Sequence, residues 1–342
     1  MYKKLEFEMS DGLIIKGQIE GNIDSDNLIV MLHSGGYDRH ERGIKEIKNQ
    51  QKIYFNPLGN YDYLTNLLKH DYAILRIDQR NHGESGKNID IYALSKTLNS
   101  LDVPNKDINI IIKAELAKDK QTLNKLINKY PKIKDIVNRP PIQDLSFIKM
   151  KDDLEEVMKK LPKKIKKEFH TIDYVGTCMG TVVLGLYLKE NKEKANSLTL
   201  FSPLYTFEYS FINPPKEAEF LINKKNAVEN GKQFRLGNAV EGPSTLKEVK
   251  EFSKNFLTNI ASLDIPIFCI QGQNDVLVPQ KMQTQIFKQL ENYRIANNLS
   301  EIYYAENKGV HCLYDAIFPS VLDAYWFIES NKKPVKTKTK PL

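Results

Sequence analysis

The chain is poor in cysteine and has no long apolar run, and each shortage removes a class of protein. Three cysteines (Cys178, Cys269 and Cys312) cannot all pair with one another and show no metal-type spacing. A disulfide-stapled secreted fold is therefore not expected, and a reducing compartment fits. No stretch of the 342 residues is long and apolar enough to span a bilayer, and Met1-Tyr2-Lys3-Lys4-Leu5-Glu6 runs straight into an alternating pattern with no apolar leader. The expectation is a cytoplasmic protein without an integral membrane segment. The chain has no G-x-G-x-x-G, phosphate loop or metal-ligand cluster, so neither cofactor nor metal is predicted. The formal net charge is only +7, and its lysines and arginines are not interleaved with aromatics in a nucleic-acid module. Nucleic acid is accordingly not an expected partner. The lysines at 159–160, 163–164 and 166–167 read first as a solvated helix face and second as a docking patch for an acidic protein.

What is present is an alternation of buried strands and amphipathic helices. Leu5 to Met9, the turn Asp11-Gly12, and Leu13 to Ile19 predict a β-hairpin. Leu28 to Leu32 is an unbroken apolar run ending at His33-Ser34-Gly35-Gly36, as expected of a strand covered on both faces and followed by a glycine-rich loop. A polar stretch extends to about Asn56. Helical spacing from Pro57 to His70 and a strand from Tyr72 to Ile77 come next, and the β-helix-β order predicts a parallel sheet. The regular pattern then lapses over residues 87–143, which hold helical patches at 108–116 and 122–130 between prolines and read as an inserted lid. An amphipathic helix at 144–161, a strand at 172–177 and a short strand at 197–201 restore the alternation. Residues 204–263 form a second irregular segment, whose aromatics Tyr205, Phe207, Tyr209 and Phe211 read as core packing ahead of a pocket lining. A strand at 265–270, a helix at 280–297, a strand at 301–304 and a helix at 319–329 close the fold, and residues 331–342 are expected to be a disordered basic tail.

Gly176-Thr177-Cys178-Met179-Gly180 joins an apolar strand to an apolar helix. That is the setting of a nucleophile elbow, in which the central residue sits on a sharp turn between glycines. The central residue here is a thiol at a helix N-terminus, where the dipole and unpaired amides favour the thiolate. By itself the pentapeptide reads first as a buried structural cysteine in a tight turn. Asp275 follows a later strand, and His311 alone of the six histidines follows the last one. In a parallel sheet those three loops gather at one edge. His311 is then the base or ion-pair partner of Cys178, and Asp275 the group that orients the imidazole, with Asp315 a weaker candidate for the acid. The Met179 amide and an amide of the His33 loop, foremost that of Gly35, are the candidate oxyanion donors. Cys269 reads as core, His33 as structural, and Cys312 as pointing away from Cys178.

Taken together, the His33 loop, Asp78-Gln79-Arg80-Asn81-His82-Gly83-Glu84-Ser85, the elbow, Gly272 to Asp275 and His311 resemble the α/β-hydrolase family, in that family's order. The resemblance covers the chain except the two insertions and the tail. It implies a mostly parallel central sheet with helices on both faces, a Cys178-Asp275-His311 triad, and a core at 1–86, 144–203 and 264–330 carrying a lid (87–143) and a cap (204–263). Three positions depart from the family pattern: Ser34 and Asn81 stand in place of glycines, and the nucleophile position holds cysteine. Three readings follow. The first is an acyl hydrolase of esterase or thioesterase type, acting on a small-molecule or carrier-bound ester or thioester through an acyl-Cys178. The second is an acyltransferase using the same intermediate with an acceptor other than water. The third is a non-catalytic binding protein with the same fold.

Overall fold

Five segments of the chain are buried along nearly their whole length, and they become neighbouring strands at the centre of a single sheet. The computed structural model describes residues 2–35, 38–41, 44–48, 51–54, 58–85, 98–117, 119–134, 145–204, 214, 219–236, 239–313 and 315–332. Its strands are β1 (Tyr2–Glu8), β2 (Ile14–Gly21), β3 (Asn27–Leu32), β4 (Ile44–Lys48), β5 (Gln51–Tyr54), β6 (Ala73–Ile77), β7 (Thr171–Thr177), β8 (Ala195–Phe201), β9 (Phe234–Leu236), β10 (Ala239–Glu241), β11 (Ile267–Gly272) and β12 (Ile302–Asn307). The helices are α1 (Asn60–Leu68), α2 (Asn105–Ala117), α3 (Lys120–Lys129), α4 (Phe147–Ile165), α5 (Met179–Glu190), α6 (Glu219–Glu229), α7 (Pro243–Ala261), α8 (Gln280–Ala296) and α9 (Ile317–Ser330).

Eight strands form one sheet in the order β1-β2-β6-β3-β7-β8-β11-β12. The β1–β2 hairpin is antiparallel and joins β6 antiparallel, and every pairing from β6 to β12 is parallel. Alternate residues of each central strand feed opposite layers, because side chains of a strand point to alternate faces. Leu28, Val30 and Leu32 of β3 belong to the cluster built with α4, α5, α7 and α8, whereas Ile29 and Met31 belong to the one built with α1 and α9. Two-sided cover explains why β3 reads as an unbroken apolar run from Leu28 to Leu32. The helices α2 and α3 stand apart from both layers around a small cluster of their own, including Leu98, Ile111 and Leu126.

Two hairpins were not expected from the sequence. β4 and β5 pair antiparallel within the stretch read as polar, and β9 and β10 pair within the second insertion. Ile44 and Ile47 are three apart in sequence, which is not a strand period, and the pairing shifts register between Ile44 and Glu46. The aromatics at 205, 207, 209 and 211 and the tail beyond 332 lie outside the described residues. Lys159 and Lys160 pair with Glu155 and Glu156 one turn back on the exposed face of α4, in keeping with a solvated helix face. Among the described residues no helix is long and apolar enough to cross a membrane.

One buried cation ties the edge of the sheet together. Arg294 of α8 is 1% exposed, and its guanidinium donates to the carbonyls of Ala261 (3.1 Å), Leu263 (2.7 Å), Ile265 (2.8 Å) and Ser300 (2.8 Å from Nε). It closes the end of α7 and the entry to β11. Replacing it with methionine roughly keeps the volume but takes the guanidinium donors from those carbonyls, of which that of Leu263 keeps the Ile265 amide. Arg294→Met is expected to lower the unfolding free energy by about 3 kcal/mol, read as a shift of the urea midpoint at unchanged m-value.

Candidate active site

Cys178 sits between β7 and α5 with φ +49° and ψ −108°. A non-glycine residue in that region stores on the order of 1–3 kcal/mol of backbone strain. The elbow survives because the chain after it can press against β3: a Cβ on Gly180 would lie 2.2 Å from the Leu32 carbonyl oxygen. Only glycine allows α5 to start there. The hydroxyl of Tyr61, in α1, donates to the Leu32 carbonyl (2.5 Å) and lies 2.9 Å from Thr177 Oγ1. It ties the ends of β3 and β7 together directly beneath the elbow.

Asp275 and His311 reach the same edge from β11 and β12. Their loops touch: Asn274 N donates to the Gly309 carbonyl at 2.9 Å, and a Cβ on Gly272 would lie 2.4 Å from that same oxygen. This close approach accounts for the glycine three residues before Asp275. The Asp275 carboxylate is fully buried. Its Oδ1 accepts from the amides of Leu277 (2.8 Å) and Val278 (2.9 Å), and its Oδ2 lies 2.7 Å from His311 Nδ1 and accepts from Gln271 Nε2. Asp275 therefore shapes its loop and orients the imidazole at once. Asp315, the weaker candidate for the acid, accepts from the Val310 amide instead (2.8 Å).

His311 Nε2 is buried without a hydrogen-bond partner among the described residues. A ring nitrogen of His311 and the sulfurs of Cys178 and Cys312 all lie within 4.8 Å of one another. The expectation that Cys312 points away from Cys178 is thus wrong. Adjacent residues diverge in an extended chain, but Cys312 has φ +62° and ψ +5°, and that left-handed turn folds its sulfur back beside its neighbour's ring. The turn is held from two sides. Cys312 N donates to Ser202 Oγ at the end of β8 (2.9 Å), and the Cys312 carbonyl accepts from Asn60 Nδ2 of α1 (2.9 Å). Ser202, Asn60, Tyr61 and Cys312 were all missed as site residues in the sequence. A polar residue closing a buried strand was the available signal for Ser202; no comparable signal marks the others. Cys269 is buried within β11, as expected.

Electrostatics favour an ion pair. The adjacent Cys312 thiol, aided by the positive charge of His311, holds the Cys178 thiol well below its usual range against the burial that would raise it. Burial pulls His311 down, but the charges of Asp275 and Cys178 outweigh it and hold the imidazole well above its usual range. Both shifts act in the same sense, each favouring the charged form beside the other, so they work toward a thiolate–imidazolium pair. Alkylation of Cys178 by iodoacetamide is therefore expected to be nearly flat across neutral pH and to fall only on acidification through the lowered thiol pKa. A rate climbing roughly tenfold per pH unit from 7 to 9, as for an unperturbed thiol, would show that no pair forms.

The loop after β3 is anchored rather than open. Ser34 gives both its amide (2.6 Å) and its hydroxyl (2.5 Å) to the Glu41 carboxylate. That amide is committed, which leaves Gly35 the next donor in the turn. His33 is buried, with Nδ1 2.7 Å from the Ser34 carbonyl and Nε2 accepting from the Gln79 amide at 2.9 Å, a structural part as expected. Asn81, in the place of a glycine, has φ +64°, a conformation asparagine tolerates better than most residues. The turn after β6 keeps its shape through it.

Comparison with solved structures turns on this architecture. The esterase Pf2001 of Pyrococcus furiosus superposes with a TM-score of 0.54 at 16% identity, over 96% of this chain and 92% of that one. Est1E of Butyrivibrio proteoclasticus, solved with ferulic acid bound, gives 0.55 at 12% identity, over 97% and 98%. The fold is that of the α/β hydrolases. At such identities the likeness speaks for the fold alone. In sequence, the chain is 30% identical over 137 residues to monoacylglycerol lipase abhd6-A of Xenopus laevis. That match covers 40% of this chain and about a third (36%) of the relative's length. No family model matches the chain. Within the α/β-hydrolase fold, Cys178, Asp275 and His311 occupy the loops after β7, β11 and β12 at the carboxyl edge of the sheet, where ligands of open α/β sheets bind.

Proposed function

We propose that this chain is an acyl hydrolase that cleaves an ester or thioester through an acyl-thioester on Cys178. The observation that carries the reading is the histidine whose Nδ1 is clamped by a buried carboxylate while its Nε2 is left without a partner beside a sulfur on a strained elbow. Attack of Cys178 Sγ on the acyl carbon forms a tetrahedral oxyanion, which accepts hydrogen bonds from the Met179 amide, at the start of α5 where no preceding turn uses it, and the Gly35 amide. Collapse expels the alcohol or thiol, which takes its proton from His311 Nε2. His311 then removes a proton from water, the resulting hydroxide attacks the thioester, and the acid leaves with Cys178 regenerated as thiolate. The ring nitrogen and the Cys178 sulfur lie within 4.8 Å of each other, and catalytic hydrogen bonds commonly tighten when substrate binds.

The esterase and lipase names among the similar proteins favour an oxygen ester with an apolar acyl chain as the substrate class. The segments 87–143 and 204–263 are read as the lid and cap over the site, consistent with α2 and α3 having a hydrophobic cluster separate from the sheet layers. Incubation with short- and medium-chain p-nitrophenyl esters and acyl thioesters, followed by intact-mass measurement, is expected to show an acyl adduct on Cys178 that decays in water. An adduct that decays only when an amine or alcohol is added would make the protein a transferase. No adduct and no product across the panel would leave the fold to a binding role.

A further inference from the structure

We propose that Cys178, His311 and Cys312 form a binding site for one soft divalent cation, Zn2+, with two thiolates and an imidazole as ligands and a fourth position open to water. Three potential ligand atoms lie within 4.8 Å of one another. A tetrahedral zinc with Zn–S of about 2.3 Å and Zn–N of about 2.0 Å holds sulfurs about 3.8 Å apart and sulfur and nitrogen about 3.5 Å apart. Closing the trio around an ion thus asks for at most about 1.0 Å between the sulfurs and about 1.3 Å between sulfur and nitrogen, within the reach of a cysteine rotamer.

A second observation points to the same place. Asp275 Oδ2 holds His311 Nδ1 at 2.7 Å, so the neutral ring carries its lone pair on Nε2, which is buried and unpartnered among the described residues. Carboxylate, imidazole and metal in line is the arrangement that fixes a metal-binding histidine and raises its basicity. Two sulfurs and one nitrogen suit Zn2+ and disfavour Mg2+ or Ca2+, which take oxygen ligands. Cys312 is 2% exposed, whereas Cys178 is partly exposed, so the vacant fourth position faces the open side of the site. The site is invisible in the sequence because two ligands are adjacent and only the left-handed turn at Cys312 brings both to one ion. Binding takes up Zn2+ and releases whatever protons the three ligands still held. On the acyl-hydrolase reading the ion would occupy nucleophile and base together and so inhibit turnover; that consequence rests on the proposed function, whereas the binding itself does not.

The test is titration of Zn2+ into the reduced, metal-free full chain against a chromophoric chelator, with X-ray absorption at the zinc edge. One equivalent is expected, with two sulfurs at about 2.3 Å and one imidazole in the first coordination shell. Cys312→Ser should weaken binding at least tenfold, and Asp275→Asn by about 10- to 100-fold. Binding well below one equivalent, or a coordination shell with fewer than two sulfurs, overturns the proposal. Should Cys312→Ser fail to fold, the sulfur count on the unmodified chain decides alone. Because both readouts follow the metal and not hydrolysis, a protein that binds zinc but turns over no ester keeps this site and loses the proposed activity.

Discussion

In the Cys178→Ala variant, kcat/KM toward whichever ester the protein cleaves is expected to fall by at least about 10^4-fold, equivalent to about 5.5 kcal/mol of transition-state stabilisation. The size follows from what is removed: alanine leaves His311, Asp275 and the candidate oxyanion amides in place but gives no atom to carry the acyl group. Residual rate from oxyanion stabilisation and binding alone stands far below that of an intact triad. The fold should tolerate the change, since Cys178 is only half-buried and alanine has no bulk to add to the turn. Steady-state kinetics with intact-mass analysis of the same samples checks it. A loss smaller than tenfold, with unchanged thermal melting, would remove Cys178 from the chemistry and favour water activated by His311 directly.

The second large effect is expected from a substitution of nearly identical shape. Asp275→Asn should lower kcat by about 10^3- to 10^4-fold. The reason lies in the two sides of this carboxyl group. Oδ1 is held by the Leu277 and Val278 amides, so the asparagine oxygen must remain there, and its NH2 must turn toward His311 Nδ1. Gln271 can turn with it, because its Oε1 has no partner among the described residues and can accept. Nδ1 then becomes an acceptor, the ring proton moves to Nε2, and the imidazole presents a donor where a base is needed. Nitrogen-15 spectra of the histidine should show the tautomer exchanged. An unchanged tautomer, or a rate within tenfold of the parent, would mean that Asp275 serves its loop and not the ring.

Much of the site could be read from the chain because each part follows a buried strand. β3 and β11 carry unbroken apolar runs at Leu28–Leu32 and Ile267–Ile270, and β7 one interrupted by Asp173, so their ends, and the loops carrying Gly35, Cys178 and Asp275, were marked without coordinates. What could not be read depends on angles that no periodicity encodes. Ser202 and Asn60 act by holding the backbone of Cys312 from two distant elements, and neither has a distinctive neighbour in sequence. The β4–β5 hairpin escaped because Ile44 and Ile47 are spaced three apart in sequence, which is not a strand period.

The parallel sheet, its two-sided layering and the edge at which the loops gather follow from the hydrophobic pattern, since strands covered on both faces leave the chain few ways to bury them; the strand order came from the structure. Whether Cys312 turns toward or away from Cys178 was beyond that pattern. It depends on one left-handed residue, held there by a serine and an asparagine that approach only after the sheet and α1 have packed, and only the tertiary structure could decide it.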